Sequence, residues 1–163
     1  MREAVKKKGS EKIAWIDESG FKSHTYRPHA WARRGKKSHG ERHGKREKQT
    51  NLIAAKRGKE LLAPVLYQAS TTALWFNTWL KEHLFKVLEK NSTLIMDNAC
   101  FHKKEEVRAL AKEAGHDVLF LPPYSPDFNP IEKVFAILKK RRTLASSDTP
   151  LDQIVNSYGS FLE

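Results

Sequence analysis

The spacing of apolar residues changes partway along this chain, and that change restricts the fold most. Up to residue 67 the apolar runs are short and alternate at period two, which predicts strands at 13–16, 51–55 and 61–67. Beyond residue 70, stretches of period 3.6 alternate with short apolar runs, which predicts helices at 71–88, 103–114, from 129 and at 151–161, and strands at 93–96 and 118–121. Hairpin-joined strands pair antiparallel, whereas strand–helix–strand units add parallel strands. The chain is therefore predicted to form one α/β domain, a mixed sheet covered by helices.

The charge balance indicates the class of partner. The chain has 30 Lys and Arg residues against 19 Asp and Glu residues, a formal net charge of +11. Such an excess attracts polyanions, so nucleic acid is the first partner to consider. No apolar run approaches the roughly 20 residues that span a bilayer, and the N-terminal residues lack the apolar region of a signal peptide. The single cysteine, Cys100, excludes an internal disulfide and a cysteine-based zinc site. We therefore expect a cytosolic protein.

Three carboxylates stand at the ends of predicted elements. Asp17 and Asp97 each follow an apolar strand, and Glu132 begins a helix at the margin of its predicted buried stripe. Carboxylates from separate elements supply the hard oxygen ligands that Mg²⁺ or Mn²⁺ prefers. Two such ions, roughly 3.5–4 Å apart, can activate an attacking oxygen and stabilise a leaving one in phosphodiester chemistry.

Each of these acids also has a purely structural interpretation. Asp17 has the position of a turn residue at a strand end, and Asp97 that of an Asx-turn or a helix cap. Asn129, Pro130 and Glu132 have the spacing of a capping box with proline at the first helical position. Asp127 is a rival third ligand. Local sequence alone leaves these alternatives open.

Whole segments around the acids resemble a known family. The segments are Ile16-Asp17-Glu18-Ser19-Gly20-Phe21, then Leu94-Ile95-Met96-Asp97-Asn98-Ala99 with His102, then Leu121-Pro122-Pro123-Tyr124-Ser125-Pro126-Asp127-Phe128-Asn129-Pro130-Ile131-Glu132. They are similar, in order and spacing, to the three catalytic motifs of mariner-type transposases, and most of all to the bacterial insertion-sequence branch. The similarity extends over roughly residues 12 to 142.

The resemblance implies a fold, a site and a reaction. The fold is a ribonuclease-H-like mixed five-stranded sheet with helices on both faces. The site is an Asp-Asp-Glu triad, here Asp17, Asp97 and Glu132, around two Mg²⁺ ions that Mn²⁺ can replace. The reaction cuts DNA at transposon ends, and the freed 3′-hydroxyl then attacks target DNA, typically at a TA dinucleotide. A homodimer in the active complex and a place in the bacterial cytosol or nucleoid follow from the same resemblance.

Further residues are predicted to contact DNA. The stretch from Lys22 to Lys48 is strongly basic and contains aromatic residues, which suits phosphate contact with some stacking. Relatives have a Trp-x-x-x-Gly element here, matched by Trp31 to Gly35. Lys139 is seven residues beyond Glu132 on the same side of its helix, and His102 lies five residues after Asp97. A solvated loop and a structural histidine are the alternatives. The predicted DNA-contacting residues are Arg27, Trp31, Arg33, Arg34, Lys36, Lys37, His102 and Lys139.

The resemblance also implies an N-terminal pair of helix-turn-helix modules that recognise transposon ends. Only about a dozen residues precede the first predicted strand. Residues 1–163 are therefore expected to form a single catalytic domain, with end recognition on a separate or frameshift-linked N-terminal half. Two other functions stay open: a non-catalytic, regulatory DNA-binding fragment, and a ribonuclease-H-like nuclease or resolvase. The Pro-Pro-Tyr-Ser-Pro segment favours the transposase.

Overall fold

The computed structural model describes residues 9–22, 49–99, 103–122, 129–146 and 148–158. After a 3₁₀ turn at Ser10–Lys12, the strands are β1 (Ile13–Lys22), β2 (Gln49–Arg57), β3 (Glu60–Tyr67), β4 (Thr93–Met96) and β5 (Asp117–Phe120). The helices are α1, α2 (Lys104–Glu113), α3 (Ile131–Leu144) and α4 (Leu151–Asn156). Helix α1 has three consecutive parts: α-helical Ala73–Trp79, π-helical Leu80–Leu84 and α-helical Phe85–Val87. No helix within these ranges is both long and apolar enough to cross a membrane.

The five strands form one mixed sheet in the order β3-β2-β1-β4-β5. Strands β1, β2 and β3 pair antiparallel, and Gly58 forms the predicted turn between β2 and β3 with a positive φ of 54°. Strands β4 and β5 both pair parallel, β4 with β1 and β5 with β4. The predicted division into an antiparallel half and a parallel half is therefore confirmed.

Helices α1 and α2 cover one face of the sheet. Their buried side chains pack against those that alternate inward from the strands, in a core that includes Ala14, Ile16, Ile53, Leu94, Met96, Phe76, Trp79, Leu80, Leu84, Val107 and Ala111. Period 3.6 predicts that Ala73, Phe76, Leu80, Leu84, Val87 and Leu88 form the buried stripe of α1. Phe76, Leu80 and Leu84 are buried as predicted, but Val87 is 47% exposed. The π turn is wider than an α turn, so residues after it occupy a different angle from the one that a regular helix gives them.

Helices α3 and α4 cover the opposite face. Ile131, Val134, Phe135 and Leu138 of α3 pack with Ile154 and Val155 of α4 against Phe21, Leu52 and Ala54 of the sheet. Arg141 joins the two helices, since its Nη1 donates to the backbone oxygen and to Oγ of Ser157 at 2.9 and 3.0 Å. The predicted placement of helices on both faces is confirmed.

Strand β1 is longer than its sequence pattern predicts. Its parallel pairing with β4 ends at Trp15, but its antiparallel pairing with β2 continues to Lys22. The prediction that Asp17 follows the end of the strand is therefore wrong. Asp17 lies inside β1, just beyond the last residue that pairs with β4, because β2 provides backbone hydrogen-bond partners where β4 no longer does.

Candidate active site

Asp17 points to the face of the sheet that α3 covers. It pairs with Ala54 across the antiparallel ladder, and Ala54 belongs to the core beneath α3 and α4. Directly paired residues share a face, so the carboxyl group of Asp17 stands on the α3 side. Its Oδ1 accepts a hydrogen bond of 2.8 Å from the backbone N–H of Glu18. The half-buried carboxyl group is thus oriented by the next peptide unit of its own strand.

Asp97 follows β4 directly, on the strand that neighbours β1. Met96 belongs to the core on the α1 side, so continued alternation turns residue 97 toward the α3 side, as for Asp17. The Oδ1 atom of Asp97 accepts a hydrogen bond of 3.2 Å from the backbone N–H of Ala99. This bond is the Asx-turn of the structural interpretation. Asp97 therefore stabilises the loop and also places a carboxylate at the C-terminal end of β4.

Glu132 is an exposed residue in the first turn of α3, and Asn129 connects this turn to β1 through hydrogen bonds. Asn129 is 5% exposed. Its Nδ2 donates to the backbone oxygen of Ile16 at 3.2 Å, and its Oδ1 accepts from the backbone N–H of Ile131 at 3.3 Å. Asn129 therefore caps the helix that carries Glu132 and binds the residue before Asp17. The reciprocal capping-box bond, from the Asn129 N–H to the Glu132 carboxylate, is absent between these two described residues, so the side chain of Glu132 does not serve as a cap.

The charges of these acids act on one another. The pKa of Asp17 is raised to about 7, mainly by burial and in addition by the charges of Asp97, Glu132 and Glu18, while the Glu18 N–H bond lowers it. Electrostatic influence of this kind requires proximity. The pairing of β1 with β4 and the Asn129–Ile16 bond likewise bring the end of β4 and the start of α3 next to the part of β1 that holds Asp17.

The donor set fits a divalent cation that keeps part of its water shell. Within the described ranges, no group of three or more Asp, Glu, His or Cys side chains is close enough together to hold a metal ion. Mg²⁺ does not need such a group, because it binds through one or two carboxylates and completes its octahedron with waters and substrate phosphate oxygens. Crowded carboxylates, one of them with its pKa raised to about 7, are the groups that such a cation neutralises.

Glu18 is a fourth acid close to the site, and the sequence analysis assigns it no role. Glu18 alternates to the α1 side of β1, where its Oε2 accepts from Thr71 Oγ1 at 2.8 Å. The neighbouring residue Thr72 caps α1, accepting from the N–H of Trp75. Burial raises the pKa of Glu18, with a further contribution from the charge of Asp97. The available signal was the alternation itself, since Glu18 shares the face of the buried residue Ile16.

Most of the predicted DNA-contacting residues lie outside the described ranges: Arg27, Trp31, Arg33, Arg34, Lys36, Lys37 and His102. The rival acid Asp127 lies outside them too. Lys139 is described and exposed, with its Nζ 5.9 Å from the centre of the Phe21 ring. Phe21 lies on the same face of β1 as Asp17, four residues further along the strand, so Lys139 lies over that face.

A family model for the DDE superfamily endonucleases matches residues 12–150, most of the chain. The chain is a member of that family. The match includes all three acids and every described element from β1 to α3. No curated protein matches the sequence significantly.

Solved structures agree with the fold of this DDE endonuclease domain. The mariner Mos1 paired-end complex with Mg is 18% identical with a TM-score of 0.78, over 96% of this chain and 51% of that one. The Mos1 strand transfer complex is 19% identical with a TM-score of 0.76, over 94% of this chain and 48% of that one. The catalytic domain of Mos1 mariner transposase is 15% identical with a TM-score of 0.65, over 98% of this chain and 74% of that one.

The chain thus spans about half the length of the Mos1 chains in the DNA complexes and about three quarters of the isolated catalytic domain. At these identities the likeness establishes the fold. The expected ribonuclease-H-like fold, a mixed five-stranded sheet with helices on both faces, is confirmed.

Proposed function

We propose that this domain catalyses metal-dependent DNA strand cleavage and strand transfer at transposon ends. The observation that carries the proposal is the convergence of acids from three elements: β4, which ends just before Asp97, pairs with β1, and Asn129 joins the start of the Glu132 helix to Ile16, next to Asp17. Membership of the DDE endonuclease family and the transposase fold support it. A binding protein that only neutralises phosphates has no use for three carboxylates at one edge of a basic domain.

Asp17, Asp97 and Glu132 are the proposed catalytic and metal-binding residues. They would hold Mg²⁺, or Mn²⁺ in its place, and the Mos1 paired-end complexes with Mg and with Mn support that choice. A bound pair of ions supplies Lewis-acid activation of the attacking oxygen and stabilisation of the leaving oxygen. The protein contributes the positions of the carboxylates: the Glu18 N–H orients Asp17, the Asx-turn orients Asp97, and Asn129 fixes the start of the helix that carries Glu132.

The proposed substrates are transposon ends and a target, with TA as the expected target dinucleotide. The net charge of +11 supports a DNA partner, as do the transposon-end and strand-transfer complexes of Mos1. Lys139 is a proposed phosphate contact beside the acids, and Arg27, Trp31, Arg33, Arg34, Lys36, Lys37 and His102 complete the proposed DNA surface. We also propose a homodimer in the active complex, end recognition by helix-turn-helix modules on a separate or linked N-terminal half, and action in the bacterial cytosol or nucleoid.

The decisive experiment measures Mn²⁺- and Mg²⁺-dependent nicking and strand transfer on labelled inverted-repeat DNA, with family helix-turn-helix modules supplied in trans. Asp97→Asn should abolish both activities while the melting temperature stays near that of the wild type, because the amide still accepts the Ala99 bond. Asp152→Asn, at an exposed acid in the first turn of α4, is the matched control and should remain active.

Substrate comparison separates the alternatives. Branched DNA cleaved in preference to inverted-repeat ends would indicate a resolvase, and cleavage of RNA–DNA hybrid a ribonuclease. Salt-sensitive DNA binding without metal-dependent turnover, in the presence of the added modules, would indicate a non-catalytic fragment. Activity that persists in Asp97→Asn would remove the proposed site.

A further inference from the structure

Glu18 is a buried acid that the proposed chemistry does not use directly. It follows Asp17 in β1, and the two side chains point to opposite faces of the sheet. Its Oε1 atom is buried and has no hydrogen-bond partner within the described part of the chain. A buried carboxylate oxygen without a donor is unfavourable for folding, so stability alone does not account for an acid at this position.

The other carboxylate oxygen of Glu18 ends a hydrogen-bond chain. Thr71 Oγ1 donates to Glu18 Oε2 at 2.8 Å, and Thr71 Oγ1 and the Tyr67 hydroxyl are 2.6 Å apart. A threonine hydroxyl has a single proton. Because Thr71 donates that proton to Glu18, the Tyr67 hydroxyl must donate to Thr71. The hydrogen-bond chain therefore runs from Tyr67 through Thr71 to Glu18.

The far end of this chain is itself fixed. The Tyr67 ring packs on the indole of Trp75, with 4.1 Å between ring centres. Trp75 lies in the first turn of α1, where its N–H is bound by the Thr72 cap at 3.2 Å. The chain therefore fastens the middle of β1 to the end of β3 and the beginning of α1, across the face opposite to the acids.

The backbone of Glu18 carries this restraint to Asp17. Its N–H donates to Asp17 Oδ1 at 2.8 Å, so the peptide unit that orients Asp17 belongs to the residue whose side chain is anchored. A rotation of this peptide unit would move the Asp17 carboxyl and the Glu18 side chain together. The anchor therefore resists such a rotation.

We propose that Glu18 is a positioning residue, whose side chain, held by Thr71 and Tyr67, fixes the peptide unit that orients Asp17 for metal binding. This inference rests on the proposed function, in which Asp17 is a metal ligand. Hydrogen-bond partners that orient metal ligands are worth about 10–100-fold in metal affinity. Loss of the anchor should thus weaken metal binding without removing a ligand.

The test is Mn²⁺ binding, followed through the electron paramagnetic resonance signal of free Mn²⁺ in titrations of the purified chain. Thr71→Val removes the hydroxyl with little change of shape and should raise the dissociation constant about tenfold. Thr78→Val is the matched control, since the Thr78 hydroxyl donates to the Leu74 backbone oxygen of its own helix. Glu18→Gln can still accept the Thr71 bond and should stay within about twofold of wild type, whereas Glu18→Ala should match Thr71→Val.

Each outcome decides a point. Equal Mn²⁺ affinity in Thr71→Val and Thr78→Val would overturn the inference, and so would a Glu18→Gln variant as weak as Glu18→Ala, because charge rather than anchoring would then matter. If Thr71→Val does not fold, as judged by circular dichroism, Tyr67→Phe tests the same chain from its other end. Failure of the proposed function looks different: the wild type binds no Mn²⁺, or Asp97→Asn binds it equally well.

Discussion

Among the single residues, Asp17 combines a half-buried carboxyl group with neighbouring acids. Burial and the charges of Asp97, Glu132 and Glu18 raise its pKa to about 7. Between about pH 4 and pH 7, the carboxyl group therefore keeps a proton in the folded, metal-free protein that it loses in the unfolded chain. A cation that binds Asp17 must displace this proton. Metal affinity should therefore rise with pH through the neutral range.

Asp17→Asn should stabilise the metal-free protein at pH 7.5. The folded-state pKa lies above that of the unfolded chain, so the wild-type protein loses stability as pH rises between about 4 and 7. The amide removes this penalty and still accepts the Glu18 N–H. Partial solvent exposure limits the gain to about 1–2 kcal/mol.

Urea unfolding of both proteins in chelator checks this prediction. The difference should shrink as the pH falls toward 4, where the wild-type carboxyl is protonated in the folded state and about half protonated in the unfolded chain. Added Mn²⁺ should stabilise the wild type but not the variant. A variant that is less stable than the wild type at pH 7.5 would contradict the assigned effect of burial and neighbouring charge.

At the scale of elements, the junction between β1 and α3 sets the distance between two of the acids. Asn129 caps α3 and also donates to the backbone oxygen of Ile16. One buried side chain therefore forms hydrogen bonds with both the strand of Asp17 and the helix of Glu132. An ordinary cap stabilises only its own helix. Asn129 should therefore contribute to stability and to metal binding together.

Asn129→Ala should cost about 2 kcal/mol of unfolding free energy, through the lost cap and the lost bond to Ile16, and should also weaken Mn²⁺ binding. Ser92→Ala removes the bond from Ser92 Oγ to the Glu89 backbone oxygen, just before β4 and at its end away from Asp97, and should cost about 1 kcal/mol without changing Mn²⁺ affinity. Urea unfolding and Mn²⁺ titration of the two variants supply the comparison. Unchanged Mn²⁺ affinity in Asn129→Ala would restrict Asn129 to a structural role.

Helix α3 packs against the sheet through its inner face. Two leucines of this helix, one buried and one exposed, allow a matched comparison. Leu138 is fully buried, whereas Leu144 is 70% exposed. Leu138→Ala should cost about 2–5 kcal/mol because it leaves a cavity under α3, whereas Leu144→Ala should stay within about 0.5 kcal/mol of wild type. Denaturant unfolding distinguishes the two, and similar costs would show that α3 packs through a different face.

For the molecule as a whole, the net charge of +11 should make DNA binding strongly dependent on salt. Lys139→Ala should weaken binding to all DNA sequences alike and lower the slope of log K against log salt by about one. Lys59→Ala is the control, because Lys59 lies in the β2–β3 turn, at the end of the sheet away from the acids. Fluorescence anisotropy over a range of NaCl concentrations measures both slopes, and equal slopes would remove Lys139 from the proposed DNA surface.

The sequence by itself determined the order of the elements and the three acidic motifs. Apolar periodicity is local, so it predicts the number, order and mixed pairing of the described strands, but not the full length of β1. The motif resemblance identifies Asp17, Asp97 and Glu132 from the sequence alone, and the family match over residues 12–150 includes all three positions.

Tertiary structure alone decided what lies between these motifs. Asp17 is inside β1 because β2 extends the ladder, and Val87 turns outward because a π turn interrupts α1. The Glu18–Thr71 and Asn129–Ile16 bonds join residues 53 and 113 positions apart. Periodicity and motif spacing describe neighbours along the chain, whereas such bonds depend on how the strands and helices pack, which is why the groups that orient the acids emerge only from the fold.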